Sequence, residues 1–527
     1  MSKAAIPAFE AAALGEIKTR YNNLETSFRS NRTKSLAFRK KQIRRLYWGI
    51  VDNAHLIEEA LRKDMRKCKL EANVSEIDWC KHECVTVANS LDKWAKDEPI
   101  RDMPITYRPM RPHIRYEPLG RILIIGAFNF PFQLNILPLI GAIAAGNTVL
   151  LKPSEHSPNS AMIVKKLVDE YLDPECYACL NGGLEETKYI LDFKFDKIVF
   201  TGGKKTGTII ATKAAQTLTP TLLELGGQNP AFVTKNGDVK LAARRIMWQK
   251  CLNAGQVCLS HNYVLIDRSL VSQFIGEINK QYRIFMPQGA KASPDYARIV
   301  NKGHFDRIMS MLKGTKGKIV MGGSSDESDL FIEPTAVLVD DINDSMVVDE
   351  SFGPIWSILP VDSLDEAINI ANKVDPTPLA LFAFGSDAEN EKILQNVTSG
   401  GATINDAFFH ACIPPTPFGG VGGSGMGNYH GWYSFQAFSH QRCIAHVPGW
   451  AERVMRMRYM PYSDREMHRY RMLSIARPNF DRDGNLVKGL KYWFGFVLGL
   501  GGSSTHGFAL RPVNSTDSTS SNGKNKL

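Results

Sequence analysis

Apolar and polar positions along this chain follow two rhythms, and the change between them outlines the architecture. Over residues 36–65, Ile43, Leu46, Tyr47, Ile50 and Val51 recur at helical spacing. Lys40, Lys41, Arg44 and Arg45 fill the opposite face, so the pattern predicts one amphipathic helix, with Glu58 set to pair with Arg62 one turn on. Helical spacing continues from Trp79 to Trp94. Pro99, Pro104, Pro109, Pro112 and Pro118 then forbid a continuous helix and predict an extended segment. Thr106-Tyr107-Arg108 and His113-Ile114-Arg115-Tyr116 are its candidate edge strands.

From Ile122 the rhythm shortens. Ile122-Leu123-Ile124-Ile125 is an uninterrupted apolar run closed by Gly126, the signature of a parallel strand buried on both faces. A helix over residues 134–145 and a strand at Thr148-Val149-Leu150-Leu151 follow. Pro138, Gly141, Gly146 and Asn147 interrupt this apolar region and Lys152-Pro153 ends it, which argues for buried elements rather than a membrane span. Lys197-Ile198-Val199-Phe200 is another strand, leading into Thr201-Gly202-Gly203-Lys204-Lys205-Thr206-Gly207 and a helix. Strand, crossover helix, strand is the grammar of a doubly wound α/β sheet. Past Pro230, Val264-Leu265-Ile266 and Lys318-Ile319-Val320-Met321 predict a second α/β unit. No repeat of 20–50 residues interrupts this order, and low-complexity text appears only over residues 515–525.

Composition narrows the function classes. A chain of 527 residues calls for two or three domains, and 43% hydrophobic with 22% charged residues is ordinary for a globular protein. The net charge of +10 sits mostly in residues 448–527, which hold 13 Lys+Arg against 6 Asp+Glu. The body is left with little excess charge, which argues against nucleic-acid binding and leaves the tail as the basic element. Nine cysteines without framework spacing, behind an opening that lacks an apolar signal run, point to free thiols in a reducing compartment. Cys176 and Cys179 form a CxxC with no second pair, so no metal site is expected.

The candidate chemistry gathers around two strings. Leu223-Glu224-Leu225-Gly226-Gly227-Gln228-Asn229-Pro230 and Gly255-Gln256-Val257-Cys258-Leu259-Ser260 put a carboxylate and a thiol 34 positions apart, each beside glycines that let backbone approach a ligand. An ionised Cys258 is a nucleophile, and a carboxylate can activate the thiol or a later water. Asn129, in Phe128-Asn129-Phe130-Pro131-Phe132, offers an amide N–H₂ to an oxyanion, or merely caps a turn. Gly202 to Gly207 follow a strand and precede a helix, where backbone amides can meet a pyrophosphate. Lys152 and Glu155 stand at the end of a strand, the edge where open sheets hold ligands such as adenosine-ribose hydroxyls. Asp349-Glu350-Ser351-Phe352-Gly353-Pro354 and the glycine-rich residues 417–427 complete the set.

In order and spacing across residues 30–447, these motifs resemble the aldehyde dehydrogenase superfamily, above all its class 3 and fatty-aldehyde branch. The resemblance implies an α/β fold with a Rossmann-type NAD(P)-binding domain (residues 1–101 and 118–224), a second α/β catalytic domain (225–417) and a strand-exchange oligomerisation arm (102–117 and 418–447). Residues 448–527 would be a basic, partly apolar membrane-association tail. By position, Cys258 would be the nucleophile, Glu224 the general base and Asn129 the oxyanion donor. Lys152, Glu155, Gly202 and Gly207 would line the adenine-ribose and pyrophosphate site, Glu350 would bind the nicotinamide ribose, and Phe352 would pack near the nicotinamide. Asn405 matches a family asparagine near that site. Gln228, Ala127-Phe128 and Gly203-Lys204 depart from the commoner family residues without removing a reacting group.

The implied activity is oxidation of a long-chain apolar aldehyde to its acid with NAD (NADP being the alternative), through a cysteine thiohemiacetal and thioester. A polyene aldehyde, an apocarotenal, is the second substrate reading. A non-catalytic member of the fold would have lost Cys258, Glu224 or Asn129, and a CoA-acylating enzyme would not need Glu224. A homodimer is expected from the arm, which includes Gln441 to His446. Leu490-Lys491-Tyr492-Trp493-Phe494-Gly495-Phe496-Val497-Leu498-Gly499-Leu500 is about half the ~20 residues that cross a bilayer, so peripheral or monotopic attachment is expected. The location implied is intracellular, on a cytosol-facing membrane of the endoplasmic reticulum, lipid droplet or mitochondrial outer membrane.

Overall fold

In the computed structural model, which describes residues 5–474, 480 and 482–486, each short apolar run becomes a strand. Arg121–Ile125 is the central strand of a six-stranded sheet, in the order Gly425–Met426, Thr221–Leu225, Lys197–Gly202, Arg121–Ile125, Thr148–Lys152, Tyr177–Cys179. All neighbours are parallel except Gly425–Met426, which runs antiparallel beside Thr221–Leu225 and pairs Gly425 with Glu224. Alternation along the central strand sends Ile122 and Ile124 into one apolar cluster, with Leu139, Ile143 and Val164. Leu123 and Ile125 enter a second cluster with Ile17, Leu24 and Phe195. Both faces are covered, which is why the run carries no polar residue.

Helix Gln133–Ala145 is buried on nearly every side, with Pro138 tolerated inside it and Gly146 closing it at φ +94°. Its apolar character therefore reflects the core. Among the described residues no helix is long and apolar enough to cross a membrane.

The second sheet has seven strands in the order Lys318–Met321, Thr335–Leu338, Ile355–Val361, His261–Asp267, Asn229–Val233, Ala380–Phe384, Gly401–Ile404, parallel throughout apart from the first. A third sheet is antiparallel and three-stranded, Glu98–Pro99, His113–Pro118 and Ser439–Ile444. These sheets belong to one unit, residues 1–101 and 112–444. Residues 102–111 and the described residues from 445 onward form a second unit, in which His446 N donates to Met110 O at 2.7 Å and Asp464–Ser474 is helical. The apolar run over 490–500 and the low-complexity stretch over 515–525 lie outside the described residues.

Three local expectations are corrected. The helix expected over 36–65 is two, Leu36–Asp52 and Ala54–Met65, divided at Asn53, whose backbone N–H and side-chain Nδ2 both donate to Gly49 O. Glu58 accepts from Asn73 Nδ2 at 2.8 Å and faces Lys69 at 3.7 Å rather than Arg62. Thr106-Tyr107-Arg108 lies in a 3₁₀ helix, Ile105–Met110: proline-rich text fixes φ without demanding a sheet partner.

Candidate active site

Helix Val239–Cys251 runs into a tight turn before Cys258. Asn253 and Ala254 take positive φ, +50° and +51°, and Gly255 follows at +71°. A Cβ on Gly255 would lie 2.2 Å from Gly353 O, so only glycine fits there. Asn253 Nδ2 holds the turn by donating to Asn129 O at 2.9 Å and Gln256 O at 3.1 Å. Gln256 closes it from the other side, donating to Asn253 O and Arg298 O while accepting from Val300 N. Asn229 Nδ2 donates to Cys258 O at 2.8 Å and Ser260 O at 3.0 Å, which fixes the cysteine backbone against the second sheet.

Asn129 reaches this turn from the first sheet, and its side-chain Nδ2 donates to Gln256 O at 3.1 Å. Glu224 stands at the end of strand Thr221–Leu225, almost fully buried, and neither carboxylate oxygen has a hydrogen-bond partner among the described residues. Burial pushes its carboxyl well above the usual value. Burial, reinforced by the carboxylates of Glu224 and Glu350, pushes the Cys258 thiol up to about 12. Burial is the largest cause in both cases, so the uncharged forms of both groups are favoured in this site.

Two cavities meet at Cys258. The larger, about 970 Å³, is lined by Asn129, Lys152, Glu155, Gly202, Glu224, Glu350 and Phe352 as well as Cys258, so eight of the ten positions singled out as site residues converge on it. Gly207 does not. It sits inside helix Lys204–Ala215, where a Cβ would lie 2.6 Å from Leu225 Cδ2, so its role is to let helix and strand pack closely. Asn405 also stays outside both cavities; it is exposed, at φ +57°, with its amide bonded to Ala383 O.

The larger cavity has the features of a dinucleotide cradle. Gly202 and Gly203 precede the N-terminus of Lys204–Ala215, and a Cβ on Gly203 would meet nothing, leaving open space in front of the helix amides. Lys152 Nζ donates to Glu155 Oε2 at 2.6 Å. Burial disfavours charge on Glu155, but the Lys152 hydrogen bond and charge outweigh it and hold the carboxyl below its usual range. Glu350 is held beside Gly226, where a Cβ would lie 2.3 Å from Oε2, and beside the Gly227 amide. Burial raises the Glu350 carboxyl to about 8 against the pull of Arg307. Arg307 Nη1 and Nη2 brace this loop through Glu350 O at 2.9 Å and Ser351 O at 2.6 Å. Phe352, at φ +43°, meets Phe128 edge-on at 5.7 Å.

The smaller cavity, about 470 Å³, is built differently. Its walls include Trp79, Phe130, Trp248, Phe408, Phe418 and Tyr429. His430 stacks on Phe418 at 5.2 Å and 12°. Sequence reading missed these wall residues and Arg307, since each is one apolar or basic residue in unremarkable text. The one available signal was aromatic density around the motifs.

A cysteine where a large cavity lined by glycines and charged residues meets a smaller aromatic one, with an amide and a carboxyl lining the larger, fits the class of dehydrogenases that act through a cysteine. The sequence comparisons then give the family. Residues 3–444 match the Aldehyde dehydrogenase family model, and the chain belongs to that family, whose members use NAD(P). It is 62% identical over 506 residues to Beta-apo-4'-carotenal oxygenase of Gibberella fujikuroi, covering 96% of this chain and 94% of the relative. It is 40% identical over 468 residues to Aldehyde dehydrogenase family 3 member A2 of Mus musculus, covering 88% and 95%. The solved substrate-bound structure of Staphylococcus aureus AldH superimposes with a TM-score of 0.80 at 37% identity, covering 84% of this chain and 98% of that one. The protein is an aldehyde dehydrogenase with class 3 relatives.

Proposed function

We propose that this enzyme oxidises a long, apolar, conjugated aldehyde to its carboxylic acid, with Cys258 as nucleophile, Asn129 as oxyanion donor and Glu224 as hydrolytic base. The observation that carries this reading is the meeting of the two cavities at Cys258. Cys258 adds to the carbonyl carbon as the thiolate, its S–H proton having passed to solvent, and the developing O⁻ takes hydrogen bonds from Asn129 Nδ2 and the Cys258 amide. Bound NAD(P) supplies the hydride acceptor. The resulting thioester is cleaved by water that gives its proton to Glu224, whose unpaired oxygens leave room for that bond.

Sequence reading ranked aliphatic aldehydes first. The aromatic walls support placing the polyene first, because flat rings gain more against a rigid polyene than against a flexible chain, which also loses rotamer entropy on binding. The name of the 62%-identical relative points the same way. The test is NADH formation with a polyene aldehyde and with a saturated aldehyde of equal length. A kcat/KM at least about tenfold higher for the polyene is expected, and equal values would return the aliphatic reading to first place.

Glu155, ionised beside Lys152, supports NAD over NADP, since a carboxylate repels a ribose 2′-phosphate. Strand Ser439–Ile444 is an edge of its sheet, which supports a homodimer formed by strand addition. The mouth of the apolar tunnel carries Leu70 (73% exposed), Val74 and Trp248. Together with the basic tail, that rim supports attachment to a cytosol-facing membrane surface. Flotation with anionic liposomes, comparing the full chain with one ended at Gly489, tests the tail's share: equal flotation would remove it from the reading.

A further inference from the structure

Outside the reacting groups, a buried ion pair grips the segment that carries Asn129. Lys67 and Glu76 have no exposed side-chain surface and are bonded Nζ to Oε1. Lys67 Nζ also donates to the Asn129 backbone carbonyl at 3.1 Å and lies 4.2 Å from the centre of the Phe130 ring. The other Glu76 oxygen accepts from the amides of Phe132 at 2.8 Å and Gln133 at 3.2 Å. Asn129 O takes its second hydrogen bond from Asn253 Nδ2, and the Asn253 amide in turn donates to Glu71 Oε2 at 3.1 Å. One short stretch, residues 67–76, thus holds both backbones that form the oxyanion hole: the Asn129 loop and the turn leading to Cys258.

Stability alone does not account for this pair. Removing two charges from water costs as much as their attraction returns, and well-packed apolar residues of similar volume hold a fold equally well. What the pair adds is geometry. A carbonyl held by two buried donors, with the following helix amides held by a carboxylate, leaves Asn129 little freedom to turn its side chain away. Oxyanion donors contribute to the degree that they are aimed before the reaction begins.

We propose that Lys67 and Glu76 are positioning residues for Asn129, fixing its backbone so that the side-chain amide is aimed at the developing oxyanion. The proposal rests on Asn129 being the oxyanion donor, as argued above. Neither residue touches the reacting atoms.

The test is a double-mutant cycle on the full-length enzyme with NAD and a soluble long-chain aldehyde. Lys67→Met/Glu76→Gln removes both charges together, so neither is left buried without its partner. It is expected to lower kcat about tenfold to a hundredfold, less than the ~10²–10³ that follows outright loss of an oxyanion donor. KM for the aldehyde and NAD binding should stay within about twofold. In an Asn129→Ala background the same pair of changes should alter kcat by less than about twofold, because there is no longer a donor to aim. A kcat within twofold of the unaltered enzyme, or an equal loss in both backgrounds, overturns the proposal. If Asn129→Ala alone leaves kcat intact, the reading of Asn129 fails, a result separable from failure of the pair. Should the double change prevent folding, Glu76→Asp keeps both charges and shortens the reach. Its smaller loss must likewise vanish without Asn129, and a loss that persists there overturns the proposal.

Discussion

The two cavities that meet at Cys258 differ in how they are made. The larger cavity takes part of its lining from glycines, Gly202, Gly203 and Gly226, and part from charged residues, Lys152, Glu155 and Glu350, fixed by hydrogen bonds or close packing. The tunnel on the other side is walled by side chains, with Trp79, Phe130, Phe418 and Tyr429 drawn from distant parts of the chain. Backbone-made surfaces constrain sequence tightly, because a glycine next to a ligand has no substitute. Side-chain-made surfaces tolerate exchange of one ring for another. On the proposed reading, the first would hold the cofactor and the second the aldehyde, with more freedom to vary.

The largest expected effect lies at the junction itself. Cys258→Ala should abolish aldehyde oxidation while NAD binding, measured by fluorescence titration, stays unchanged, since the cradle does not depend on the thiol. Residual oxidation above about a thousandth of the original rate would remove Cys258 from the nucleophile's role.

Glu224→Gln separates the two sides in time. The thioester still forms, so one equivalent of NADH should appear in a burst, followed by turnover reduced on the order of 10²–10⁴-fold. An undiminished steady rate would place the base elsewhere. The same variant should be more stable than its parent. Folding raises the Glu224 carboxyl above its ordinary value of 4.5, so the native state binds that proton more tightly than the unfolded chain does. Stability is then highest at low pH and falls as pH climbs above 4.5, until the buried carboxyl ionises. Glutamine carries no such penalty. The gap in melting temperature should widen between pH 5 and 8, and a gap independent of pH would contradict the buried, unpartnered carboxyl.

On the tunnel side alone, Phe418→Ala should cost roughly tenfold in kcat/KM for a polyene aldehyde and about twofold or less for propanal. The ring stacks on His430 and faces Tyr429 at 5.8 Å, so its loss opens the wall against the extended part of a substrate. Equal losses for both aldehydes would mean that the wall supports Cys258 rather than the chain.

The same contrast explains what was legible in the sequence. The doubly wound grammar was readable because runs such as Ile122 to Ile125 are apolar for a reason, burial on both faces. The positions that line the larger cavity were readable as a group because they fall in contiguous strings of glycines and charges. Gly207 misled for an instructive reason: glycine permits close packing as well as ligand approach, and here a Cβ would strike Leu225. The break at Asn53 falls at a single residue between two buried apolar faces, and hydrophobic periodicity does not encode it. Arg307 and Lys67 were unreadable because they act on backbone carbonyls 43 and 62 positions away.

The smallest expected effect is on the cofactor side. Glu155 keeps about a third of its side chain exposed and is paired with Lys152 at 2.6 Å. In that state its carboxylate can accept from a ribose hydroxyl and would repel a 2′-phosphate, while Lys152 is already neutralised. Glu155→Gln leaves the shape intact, removes the repulsion and frees the Lys152 ammonium to face the phosphate. The ratio of kcat/KM for NADP to that for NAD should rise about threefold to tenfold, a modest change because a partly exposed charge is screened by water and salt. The rise should shrink as ionic strength increases, which separates an electrostatic cause from a change in shape. If the ratio stays put at low salt, Glu155 does not face the ribose, and the selectivity of the backbone-made cavity lies in its glycines alone.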